Sequence, residues 1–275
     1  MIKDILLNLS ADSQQDVAID YAVSLANAFD ARVTGVAFAY EKMPTGFLGD
    51  ERWVGSVEQL HKEADEAAQA SVARFENAAR SAGITMETRR IETTFSGTAD
   101  EFGRMARRYD LSVVRQARPG TGTSDHLIVE AALFDSGRPV LIVPRAHKGA
   151  ASFNRIALCW DGSRAAARAA ADAFPFLRFA KAIEIVTVEN QTTDNEIPGA
   201  DLVDHLMQHG LAAEARRIAV SGVDVPSRII SYAADASTNL LVMGAYGHSR
   251  LREFVLGGAT RGVLAGMLVP TLMSH

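Results

Sequence analysis

The sequence predicts an α/β protein made of two tandem units, each a doubly wound parallel sheet with helices on both faces. Three observations carry that prediction. Apolar runs of strand length alternate with helical patterns along the chain, as βαβ units require. The order strand, turn, amphipathic helix, strand in IKDILLNLSADSQQDVAIDYAVSLANAFDARVTGVAFA (2–39) recurs in FNRIALCWDGSRAAARAAADAFPFLRFAKAIEIVTVEN (153–190). The chain has 275 residues, a length that suits two domains of ordinary size.

The elements follow in order. ILLNL opens the first unit as a strand, and its repeat RIALCW opens the second, with Ile5 over Ile156 and Ser10 over Asp161. Continuous Val/Ile/Leu runs of this kind suit strands buried on both faces of a parallel sheet. Each is followed by an Ala-rich amphipathic helix and a second strand. The first unit then carries a Pro/Gly-bearing loop, YEKMPTGFLGDERWVG, and a long helix over 57–83 with Leu60, Ala64, Ala67, Ala68, Val72 and Phe75 along one side. This 40–83 stretch reads as an inserted packing appendage, with a lid or partner surface as the alternative. In the second unit, helices near 163–180, 200–211, 226–236 and 258–266 alternate with the strands AIEIVTV, ARRIAVS, NLLVMG and PTLM. RPVLIVP (138–144) matches VPTLMSH (269–275) as the last strand of each copy. A polar, small-residue linker at Arg145–Ser152 separates a domain over 1–147 from one over 153–275.

Composition narrows the function classes. Net charge is −5, so bulk attraction to nucleic acid or an acidic membrane is not expected. Cys159 is the only cysteine, which excludes an intramolecular disulfide framework. No apolar run approaches the ~20 residues that span a bilayer, and the N-terminus lacks a signal-peptide pattern. A cytoplasmic location is the expectation.

The most informative stretch is LLVMGAYGHSRLREFVLGGATRGVL (240–264). Met243 closes a strand, Gly244 and Gly247 fall in the turn after it, and Gly257 and Gly258 precede a short helix. Helix N-termini present unpartnered amides and a favourable dipole to anions, and glycines let phosphate oxygens approach the backbone. The two clusters therefore read as two walls of one anion cradle. In the first unit VRQARP (114–119) stands where VMGAYG does, with Gln116 over Gly244 and Pro119 over Gly247. Proline has no N–H to donate. The first unit reads as a degenerate, structural copy.

Gly244-x-x-Gly247, nine residues, then Gly257 resembles the G-2x-G-9x-G-(S/T) nucleotide motif of universal stress proteins, and RIALCWDGS resembles that family's first strand and acidic turn. The resemblance covers nearly the whole chain as a tandem pair. It implies a Rossmann-like fold related to the adenine nucleotide α-hydrolase group. It also implies that Asp161 lies near the adenosine, that Thr187 and Val188 contact adenine, that Gly244, Gly247, His248, Ser249, Gly257 and Gly258 hold ribose and phosphates, and that Met243 belongs to the same binding site. The implied cofactor is ATP or a related adenine nucleotide, with or without Mg²⁺. One departure stands out: the motif's final Ser/Thr is Gly258, and Thr260 is the nearest replacement hydroxyl.

Other candidates have plainer readings. Asp161 can belong simply to a turn leading into a helix capped by Ser163. His205 and His209 are spaced i, i+4, but Leu206 stands where a zinc protease has its Glu, so no metal site is expected. Cys159 reads as core. No Gly-Lys-(Ser/Thr) reaches for β- and γ-phosphates, which disfavours a dedicated phosphoryl-transfer enzyme. Three functions follow: a nucleotide-binding stress sensor or regulator, a non-binding dimeric scaffold, or a weak hydrolase using His248 and Asp161. Apolar fifth strands are association edges, so the two copies are expected to pair as a pseudo-dimer within the chain. The resemblance adds a homodimer of chains.

Overall fold

The computed structural model describes residues 1–10, 16–40, 51–94, 96–118, 125–189, 199–220, 222–245 and 258–275. The N-terminal half runs β1 (Asp4–Asn8), α1 (Val17–Phe29), β2 (Arg32–Tyr40), α2 (Glu51–Ala82), β3 (Met86–Thr93), α3 (Gly97–Ala106), β4 (Leu111–Arg115), α4 (Asp125–Phe134) and β5 (Val140–Val143). The C-terminal half repeats that order as β6 (Arg155–Cys159), α5 (Arg164–Leu177), β7 (Ala182–Glu189), α6 (Ala200–Gln208) and β8 (Glu214–Ala219). It closes with α7 (Val225–Asp235), β9 (Leu240–Gly244), α8 (Gly258–Gly266) and β10 (Thr271–Ser274).

All ten strands form one sheet in the order β3-β2-β1-β4-β5-β10-β9-β6-β7-β8. Pairing is parallel within each half and antiparallel once, where β10 meets β5 with Leu272 opposite Leu141. The halves are thus joined through their fifth strands, the pairing expected of two apolar edges. Because that one pairing reverses direction, the carboxyl ends of the strands face opposite edges of the sheet in the two halves. The central strands are buried on both faces: Ile5, Leu6 and Leu7 in β1 and Ile156, Ala157 and Leu158 in β6 are fully buried. One apolar layer gathers α1, α2, α5 and α6 beneath the sheet, and a second gathers α3, α4, α7 and α8 above it.

Local chemistry sets the helix limits. The Asp16 carboxylate accepts from the Ala18 amide to start α1, and Asp30 ends it in a left-handed conformation while its N–H reaches the Ala26 carbonyl. Ser163 caps α5 by accepting from the Ala166 amide.

Two expectations need correction. The long helix is no insertion: α2 is the crossover from β2 to β3, the counterpart of the shorter α6. Ala68, Ser71, Phe75 and Ala79 are its buried stripe. Phe75 lies so close on β2 that a Cβ at Gly35 would sit 2.7 Å from its ring. The match between halves also shifts by one residue at the fourth strand. Ile5 pairs with Leu111 as Ile156 pairs with Leu240, so Arg115, not Gln116, occupies the place of Gly244. The backbone agrees, since Gln116 donates to the Val143 carbonyl as Ala245 does to the Ser274 carbonyl.

Candidate functional site

In each half the crossovers leave the first and fourth strands toward opposite faces, so a crevice opens between their carboxyl ends. Ligands of open α/β sheets collect at such a switch point. In the C-terminal half that crevice lies between β6 and β9, with Asp161 following one strand and Gly244 ending the other.

Asp161 is exposed, and one carboxylate oxygen accepts from the Ser163 amide at 2.9 Å, shaping the turn into α5. Gly244 has a packing reason to be glycine. A Cβ there would lie 2.5 Å from the backbone of Ala165 and Ala166, so a side chain would push α5 off the sheet. Its absence lets the first turn of α5 sit directly on the end of β9. Gly258 begins α8, and among the described residues nothing lies within 4 Å of an added Cβ. The first turn of a helix is where amides without intrahelical partners collect.

The remaining candidates divide. Thr187 is nearly buried on β7, which the Trp160 amide ties to the end of β6 through the Val186 carbonyl. Val188, one residue on, packs with the α3, α4, α7 and α8 layer. The Met243 side chain is buried in that same layer, and its backbone lies in the β9–β10 ladder opposite Met273. Thr260 is buried in the first turn of α8. Gly247, His248, Ser249 and Gly257 lie outside the described residues. Burial and the nearby Asp161 push the Cys159 thiol up to about 12, so it stays protonated near neutrality, which suits a structural cysteine. His205 and His209 stack edge-on against each other and against Phe174, with 4.8 Å between ring centroids for His205–His209 and for Phe174–His209. That packing accounts for their spacing.

The equivalent crevice in the N-terminal half is filled from within. Arg115 projects where Gly244 has no side chain, and its guanidinium donates to the Ser10 hydroxyl at 2.5 Å and to the Asp125 carboxylate at 3.2 Å. Ser10 Oγ lies 3.3 Å from both Asp125 oxygens. The ion pair is almost wholly buried, with 2% of the Arg115 and 5% of the Asp125 side chain exposed. Burial lowers the Arg115 pKa, and Asp125 works against that shift. Asp125 begins α4, so the protein's own carboxylate takes the place at a helix N-terminus that favours an anion. Asp16 borders the cluster, accepting from the Ser10 amide, and its pKa is raised to about 6, chiefly by burial. Sequence reasoning missed this network. The available signal was the arginine in VRQARP at the end of a buried strand, where an unpaired charge is too costly to leave.

Two five-stranded, Rossmann-like halves fused through their fifth strands define a tandem α/β protein with a switch-point crevice in each half, one of them self-filled. Residues 152–275 match the universal stress protein family. A segment of 44 residues is 46% identical to a universal stress protein of Synechocystis sp., covering 16% of this chain and 15% of that protein. The fold of a universal stress protein from Archaeoglobus fulgidus superposes on 98% of this chain and 97% of its own, with TM-score 0.70 and 17% identity. A Pseudomonas aeruginosa protein of unknown function does so over 99% and 92%, with TM-score 0.61 and 14% identity. The C-terminal half of this chain belongs to the universal stress protein family, and the whole chain shares the fold of a solved member of similar length.

Proposed function

We propose that the C-terminal half binds ATP or a related adenine nucleotide in the crevice between β6 and β9, and that binding biases a conformation or an assembly in a stress response. The observation that carries this reading is the contrast between the halves. Where the N-terminal crevice holds Arg115 against Asp125, the C-terminal one has Gly244, with Asp161 exposed beside it and α8 opening at Gly258, whose Cβ position meets nothing among the described residues. The backbone amides of the α8 first turn supply phosphate contacts, and Asp161 supplies the acceptor for a ribose hydroxyl. Mg²⁺ would neutralise phosphate charge where no Walker-type lysine is present. The N-terminal half, over 1–147, serves as a structural partner to the binding half over 153–275.

Calorimetric titration with ATP, with and without Mg²⁺, tests the proposal. Saturable binding is expected, weakened about tenfold or more in Asp161→Ala through loss of a charge-assisted hydrogen bond. Absence of saturable heat at millimolar ATP would instead favour a scaffold that binds no nucleotide. The weak hydrolase reading requires phosphate release that disappears in His248→Ala.

A further inference from the structure

A second cavity, of about 630 Å³, lies where the starts of β1, β4 and β5 meet the C-terminal parts of α1 and α5. It shares no residue with either crevice, and both halves contribute to it. Its volume falls within the range of small-molecule sites, and a seam between domains is a favoured place for one. Phe29, Phe176 and Phe179 form an aromatic wall, with Phe29 edge-on to Phe176 at 5.3 Å and to Phe179 at 5.2 Å. Phe179 remains 48% exposed, an apolar surface the fold leaves uncovered beside the cavity.

The charges around the wall are not balanced in their commitments. The Asp110 carboxylate accepts from the Lys3 and Asp4 amides at 2.8 and 3.1 Å. Asp172 is held by Arg168 at 2.8 Å, and the Lys3 ammonium by Asp30 at 2.8 Å. Among the described residues the Arg138 guanidinium uses only its Nε, on the Arg107 carbonyl at 3.3 Å, and the Arg178 guanidinium has no hydrogen bond or ion pair, its backbone N–H alone bonding the Phe176 carbonyl. Both acids are thus satisfied inside the protein, while guanidinium donors remain available at the rim. An aromatic wall beside uncommitted guanidinium suits a ligand with an apolar body and an anionic head.

We infer that this seam cavity binds a small amphipathic carboxylate, its chain or ring against Phe29 and Phe179 and its carboxylate on Arg178 and Arg138. The proposal does not depend on nucleotide binding. Decanoate is the probe, titrated calorimetrically into the full chain below its micellar concentration, with uncharged octyl glucoside as control. Saturable binding of decanoate is expected, weakened about tenfold in Arg178→Glu and in Phe179→Ser, with circular dichroism and the ATP titration unchanged in both surface variants. No saturable decanoate heat, affinity unchanged in both variants, or equal binding of octyl glucoside would overturn it.

Discussion

Glycine at positions 244 and 258 serves two different needs. At Gly244 the absent side chain admits the backbone of α5, whereas at Gly258 an added Cβ meets nothing among the described residues. A hydroxyl at the second position therefore meets no obstacle among the described residues. Gly258→Ser is expected to leave the melting temperature within a few degrees and to tighten ATP binding by roughly 0.5–3 kcal/mol, the range of one added hydrogen bond to a neutral or charged group. Titration of the variant beside the native chain checks this. Arg115 is the opposite case. Arg115→Ala removes the partner of a buried carboxylate at Asp125, and a loss of about 3–5 kcal/mol in unfolding free energy is expected from urea titration.

At the scale of the element, α1 carries a pH signature. Asp16 caps it from a buried position, and its carboxyl shifts from 3.8 to about 6, chiefly through burial. The native state therefore holds more protons than the unfolded chain between those values. Stability from this group is full below about pH 4 and is lost as pH rises through about 6. The loss should amount to about 2–3 kcal/mol. Urea titrations at several pH values should show that slope in the native chain, and Asp16→Asn, which keeps a capping oxygen, should flatten it. The elements were largely legible because a buried parallel strand announces itself: ILLNL, RIALC and LLVM are apolar on both faces, and β6 through β10 form at the expected runs. What escaped was non-local. The hydrogen-bonded network that joins Ser10 to the Arg115–Asp125 ion pair, 105 residues and more away in the chain, leaves no periodic trace. The one-residue slip at Gln116 has a similar cause, since a strand buried on both faces has no alternation to fix its register. The α2 crossover was mistaken for an insertion because its counterpart α6 has only 9 residues against 32.

For the whole molecule, the β5–β10 pairing makes the halves one folding unit. Leu272 and Leu141 are fully buried in it. Gln116 adds a polar tie, its side-chain amide donating to the Leu264 and Ala265 carbonyls near the end of α8 while its oxygen accepts from the Arg145 amide. That helix opens at Gly258 in one crevice and ends against the strand that closes the other, so it physically connects the two. A single cooperative transition is expected in scanning calorimetry. Leu272→Asp should move that transition down as a whole by several kcal/mol rather than split it, because a carboxylate at the seam is buried without a partner.

The same pairing limits how one copy can meet another. With both fifth strands spent on each other, the sheet ends at β3 and β8. Their sequences, METRRIET and EARRIA, are dense in charge. Arg89 bonds Glu87, Arg90 bonds Glu92 and Asp65, and Arg216 bonds Glu214, so each outer ribbon meets water with alternating signs. Such rims discourage a foreign strand from docking. Association through the sheet is thus disfavoured at both of its edges, and the protein is guarded there against lengthening into a fibre.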